Sequence, residues 1–138
     1  MLAGARDLDP AERALLATSA TTVVPARALR ADSVELSAAL ATLAVRVSGV
    51  YLHLDLDVLN PMEVRANQFA APGGPTTTEL AAVLRSIGKQ MHIAAVAVTA
   101  YDPSFDPQDK AVHAVETLLE AAIEVPGDRS PRLTEHGT

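Results

Sequence analysis

Between Val50 and Val58 the chain alternates without a break. Val50, Leu52, Leu54, Leu56 and Val58 fall on one face of an extended segment, and Tyr51, His53, Asp55 and Asp57 on the other. This reads as a β-strand with one face in a core, and Asn60-Pro61 ends it. A second apolar run, Ile93 to Ala100, is nearly continuous, as in strands buried in a parallel sheet, and it stops at Asp102-Pro103. Leu2 to Arg6 is a shorter apolar run that reads as a first strand, and Thr21 to Val24 as a short strand or extended connection before Pro25.

Helices are predicted between these segments. Asp9-Pro10-Ala11-Glu12 has Asp9 as N-cap, Pro10 in the first turn and Glu12 as the reciprocal cap of a helix reaching about Ser19. Asp32-Ser33 opens an Ala- and Leu-rich helix to roughly Val47, stopped by Ser48-Gly49. Thr76 to Glu79 caps a helix to about Gln90, and Pro107 to about Glu124 forms the last one. The alternation predicts an α/β fold, three-layer α/β/α with a mainly parallel sheet. At 138 residues the chain is bounded to one compact unit, assigned to residues 1–125, with a polar tail over 126–138 expected to be mobile. The long connection from Asn60 to Pro75 is of the kind that is functional or disordered.

Charge and composition exclude several functions. A net charge of −6 with no cluster of Lys and Arg argues against nucleic-acid binding and against membrane surfaces. There is no cysteine, no apolar run near the ~20 residues of a membrane span, and no signal-like segment after Met1, so a cytoplasmic location is expected.

The chemistry concentrates on Asp55 and Asp57, two apart on one strand face at its C-terminal end, where open α/β sheets place their ligands. From a rise of roughly 3.3 Å per residue their Cβ atoms would lie about 6 to 7 Å apart. Each could grip one ion of a close pair, or both could hold one ion. Two carboxylates on an otherwise apolar strand imply a counterion. The alternative is that they cap neighbouring loops and helix N-termini.

The run His53-Leu54-Asp55-Leu56-Asp57-Val58-Leu59-Asn60-Pro61, followed by Gly73-Gly74, resembles the D-x-D signature of the arginase, agmatinase and formimidoylglutamase (ureohydrolase) family. Gly4-Ala5-Arg6-Asp7-Leu8-Asp9-Pro10-Ala11-Glu12 is similar to that family's G-x-R-D-x-D-x-x-E run, and Val98 to Pro103 stands where the family has E-x-N-P or E-x-S-P. The three matches occur in family order and correspond to its C-terminal part. The resemblance implies a partial arginase-like fold and a binuclear Mn²⁺ centre, which hydrolyses a C–N bond of a linear amidine or guanidine. By position it makes Asp55 and Asp57 metal ligands and sets Asp9 where an arginase holds the amino-acid end of its substrate. Asp9 reads first as a plain N-cap.

The departures matter equally. The family's remaining ligands belong to segments upstream of the part covered, and nothing here replaces them. The glutamate that pairs with a guanidinium falls at Ala100; Asn60 stands for an aspartate, Arg65 for a proline and His53 for a serine. His53 shares the face of Asp55 and Asp57, as an additional ligand or as a donor to one, with a buried hydrogen-bonded histidine preferred. His92, His113 and His136 are read as surface or core histidines. A rival is a haloacid-dehalogenase-type phosphatase with Asp55 as nucleophile, Asp57 as general acid and magnesium as cofactor. Another is a non-catalytic remnant or scaffold of the same fold. The isolated chain is expected to be incomplete or inactive and to form homo-oligomers or associate with the missing N-terminal half, because strand edges would be exposed.

Overall fold

The structure, a computed structural model, describes residues 1–124. The predicted tail over 126–138, with His136, lies outside the described residues. Four strands, in two separate parallel pairs, and four α-helices follow from the capping and patterning above. Strand β1 (Leu2–Ala3) runs parallel to β2 (Val23–Val24), with Leu2 opposite Val23 and Ala3 opposite Val24. Strand β3 (Gly49–Asp55) runs parallel to β4 (His92–Thr99), with an irregularity after Val50 and then Tyr51 opposite Ala95, His53 opposite Ala97 and Asp55 opposite Thr99.

Helix α1 (Pro10–Thr18) starts with the expected capping box, Asp9 and Glu12 each satisfying the other's backbone N–H, but none of its residues is buried. Helix α2 (Val34–Ala44) is capped by Ser33 and buries Leu36 and Leu40. Helix α3 (Thr77–Gln90) repeats the capping box with Thr76 and Glu79, and buries Thr77, Leu80, Ala81, Val83, Leu84 and Ile87. Helix α4 (Lys110–Ile123) packs Ala111, Ala114, Leu118, Ala121 and Ala122 inward. Helices α3 and α4 lie against each other and both touch β4. Small alanines on α4 allow that close approach.

One continuous core joins these parts, from Val24, Ala28 and Leu29 through Leu54, Leu56 and Leu59 to Leu84 and Leu118. Each large side chain buried there contributes roughly 1.5 to 3 kcal/mol. On β3 and β4 the inward face is Leu52 and Leu54 with Val96 and Val98. On the other face Tyr51, His53, Asp55, Ala95 and Thr99 are exposed. The α/β character and the parallel pairing are as the sequence predicts.

The boundaries differ in informative ways. Strand β3 ends at Asp55 and not at Val58, because Leu56–Val58 turns into a 3-10 helix. Strand β1 stops at Ala3, and Gly4 follows with φ +79°. Helix α2 ends at Ala44. Helix α4 begins at Lys110 and not at Pro107, because the buried Asp106 carboxylate accepts from the N–H groups of Ala111 (3.0 Å) and Val112 (3.4 Å).

The long connection follows a defined path. Asn60 N–H donates to the Pro75 carbonyl (2.8 Å), Asp102 N–H to that of Ala66 (2.8 Å), and Asn67 Nδ2 to that of Ala100 (2.7 Å). The Glu63 carboxylate accepts from Thr77 N–H (3.1 Å) at the start of α3, and the Arg65 guanidinium lies 5.3 Å from the centre of the Phe105 ring. A Cβ on Gly74 would lie 2.1 Å from the Val58 carbonyl oxygen, so only glycine lets the loop close on the β3 exit. No helix among the described residues is long and apolar enough to cross a membrane.

Candidate functional site

Asp55 is the last residue of β3, and its Oδ1 accepts a hydrogen bond from Asp57 N–H at 2.9 Å. That bond bends the backbone into the 3-10 turn. Asp55 and Asp57 therefore do not share a strand face, as simple alternation predicts; one stands exposed at the strand end and the other is carried inward by the turn. Asp57 Oδ1 is sealed from solvent and has no hydrogen-bond partner among the described residues.

Beside it lies Arg6, from the β1 exit. Its Nη1 donates to the carbonyls of Gly4 (3.0 Å) and Val58 (3.0 Å), and its Nη2 to those of Ala71 (3.1 Å) and Asp57. The electrostatics match this geometry. Burial first, and then the neighbouring Asp55 charge, push the Asp57 carboxyl above the ordinary carboxylate value, while Asn67 and Arg6 pull it back. Burial lowers the Arg6 guanidinium against the opposing pull of Asp57 and Asp55. A desolvated carboxylate with a sealed, unpartnered oxygen and a second carboxylate two residues away suits a cation. The donors are hard oxygens, which suit manganese or magnesium. Among the described residues no group of three His, Cys, Asp or Glu side chains is placed to hold a metal ion. Asp55 and Asp57 thus fit part of a coordination shell.

The other predicted residues are placed as follows. His53 is exposed, where a buried histidine was preferred, because its face of the sheet is uncovered; its Nε2 pairs with Thr99 Oγ1 at 2.8 Å. Asp9 uses its Oδ1 to cap α1, accepting from Glu12 N–H at 2.8 Å. His92 is exposed at the first residue of β4, and His113 is exposed beside Glu116 on α4. Ala100 follows β4 with φ +65°, a left-handed conformation that is strained for alanine, and its carbonyl is held by Asn67. Sequence reasoning passed over Arg6 and Asn67. Arg6 lies inside the Gly4-to-Glu12 run, a signal that was available; Asn67 carries none that a single sequence displays.

The arginase family model matches residues 1–124. Among solved structures, the arginase of Bacillus caldovelox at pH 5.6 superposes with a TM-score of 0.77 at 20% identity, covering 92% of this chain and 43% of that one. The arginase of Bacillus subtilis gives 0.76 at 22% identity, covering 91% and 44%. The formimidoylglutamase of Bacillus subtilis gives 0.75 at 20% identity, covering 84% and 37%. At these identities the likeness establishes the fold, and the chain spans less than half the length of these three structures. No curated protein sequence matches.

Proposed function

The chain belongs to the arginase family, and from that premise we propose that it carries the D-x-D part of a ureohydrolase site, with Asp55 and Asp57 as ligands to manganese. The observation that supports this most is the sealed, unpartnered Oδ1 of Asp57 next to Asp55 at the C-terminal end of β3. What manganese would supply there is Lewis-acid activation of water toward an amidino or guanidino carbon. Asp55 and Asp57 furnish anionic oxygens for it. Asp55 also holds the turn that presents Asp57. The family assignment gives no support to the phosphatase reading.

The substrate we propose is a linear amidine or formimino compound and not arginine. Ala100 presents a methyl group where the family has a glutamate, so a guanidinium would lose a charge-assisted contact worth on the order of 2 to 3 kcal/mol. Urea release from L-arginine at ordinary ureohydrolase rates would contradict this.

The partner we propose is a polypeptide corresponding to the rest of an arginase-family chain, with association between copies as the lesser alternative. Two carboxylates cannot complete a binuclear centre, and the matched arginases are more than twice as long as the region they share with this chain. The exposed face of Tyr51, His53 and Ala95 offers the seat. The absence of a three-ligand cluster among the described residues also favours a second reading, a non-catalytic remnant of the fold. Manganese titration separates the two. Binding that is lost in both Asp55→Ala and Asp57→Ala supports the site, and binding that neither variant alters sinks it.

A further inference from the structure

Three segments distant in sequence meet at one side chain, Arg6. It follows β1 by three residues, yet it donates to Val58 and Asp57, 52 and 51 residues away, and to Ala71, 65 residues away, as well as to its neighbour Gly4. The planar fork suits this arrangement, because its donors diverge in fixed directions and cannot all be reproduced by a single ammonium group. The joint is tightly built. A Cβ on Gly4 would lie 2.8 Å from the side chains of both Leu29 and Val58, so the β1 exit rests directly on the turn.

The acceptors are all main-chain carbonyls. Arg6 holds Asp57 by its backbone and leaves the carboxylate Oδ1 without a partner. From the other side, Asp55 Oδ1 holds the Asp57 N–H. Asp57 is therefore fixed through both its N–H and its carbonyl while its Oδ1 is left without a partner.

We infer that Arg6 is the positioning residue of the D-x-D turn, fixing Asp57 for cation binding through the backbone. This rests on the reading of Asp55 and Asp57 as metal ligands. The inference makes a prediction opposite in sign to simple electrostatics. A positive charge beside a cation site repels the cation, so charge alone predicts that removing Arg6 tightens manganese binding. Positioning predicts the reverse, since loss of the fork releases the turn and the loop at Ala71 together.

The experiment is a Mn²⁺ titration followed by electron spin resonance of free and bound ion, on the wild-type protein, Asp57→Ala, Arg6→Gln and Arg6→Lys. Each is measured well below its own metal-free melting temperature, with helix content checked by circular dichroism. Arg6→Gln is expected to weaken binding by roughly 10- to 100-fold, the range for residues that orient a ligand without touching the metal. Arg6→Lys keeps the charge without the fork and is expected to behave more like Arg6→Gln than like wild type. It carries the test by the same criterion if Arg6→Gln does not fold. The spectrum of the residual bound ion is expected to broaden, which a loss of global stability alone would not produce. If Asp57→Ala abolishes binding while the folded Arg6 variants bind as tightly as wild type or tighter, the positioning role is overturned and the ligand assignment stands. If Asp57→Ala itself binds normally, the ligand assignment fails and this inference with it.

Discussion

On one face of β3, Leu52 and Leu54 look into the core closed by α3 and α4; on the other, Tyr51, His53 and Asp55 stand in solvent. One strand writes both faces by simple alternation. The inner face packs on the core, with Leu54 buried and Leu52, Val96 and Val98 partly buried beneath capped helices. The outer face carries His53 and Asp55 and is uncovered, with Tyr51 64% exposed, and Asp57 lies in the turn at its end. Most of the stability and the exposed part of the proposed site thus lie on two sides of a single sheet, and Asp57 joins them at the turn.

The strongest way to break that division is through the core. Leu118, at 0% exposure, lies in the core on the buried side of α4, and Leu118→Ala is expected to cost about 2 to 5 kcal/mol in denaturant unfolding. Tyr51→Ser on the open face is expected to change the stability of the monomer by no more than about 0.5 kcal/mol. Comparable losses from the two substitutions would show that the outer face is packed in solution, by a partner or by a second copy.

A somewhat smaller effect sharpens the comparison at the point where the faces meet. The raised Asp57 carboxyl binds its proton more tightly in the folded than in the unfolded chain. Its contribution to stability is therefore fully present below the ordinary value of 3.8 and is lost as pH rises through the raised folded value. In the absence of metal, Asp57→Asn should be at least as stable as wild type at neutral pH, and the difference should vanish in acid. Manganese should reverse the order, since a ligand at 100 times its dissociation constant stabilises the folded state by about 2.7 kcal/mol. Thermal melts across pH, with and without Mn²⁺, decide the matter; equal manganese stabilisation of both proteins would remove Asp57 from the site.

These same residues show how far the sequence could be read. The alternation located β3, its inner face and the candidate carboxylates, because period-2 patterning is a local property that burial enforces. It placed the end of β3 three residues too late, because Leu56 and Val58 continue the pattern in sequence while the bond from Asp57 N–H to Asp55 Oδ1 has already turned the backbone. A D-x-D pair written as alternation is also a side-chain-to-backbone turn, and the two cannot be told apart from residue types alone. The order of the 60–75 connection was not legible for a different reason. Its ties run from Asn67 to Ala100 and from Asp102 to Ala66, and Arg6 reaches residues more than fifty positions away. Hydrogen bonds to distant main-chain carbonyls leave no periodicity to detect. The exposure of His53 depended on what covers its face, which lies beyond local pattern altogether.

The smallest effect concerns two helices that begin alike. Asp9 with Glu12 at α1 and Thr76 with Glu79 at α3 form the same capping box, yet α1 buries nothing and α3 buries six residues. A lost cap costs typically about 1 kcal/mol of helix stability, but that reaches the global value only where the helix is coupled to the core. Thr76→Ala should therefore lower global stability by about that amount. Asp9→Ala should leave the unfolding midpoint nearly unchanged while hydrogen exchange in α1 accelerates several-fold. This bears on the second role proposed for Asp9, since a substitution that frays only α1 leaves the rest of the protein intact for binding measurements. Asp9→Asn keeps a competent cap and removes the charge. If substrate affinity in an assembled enzyme falls with Asp9→Asn as much as with Asp9→Ala, the carboxylate serves the ligand. If only Asp9→Ala weakens it, the residue acts by holding the helix start, and the cap alone accounts for it.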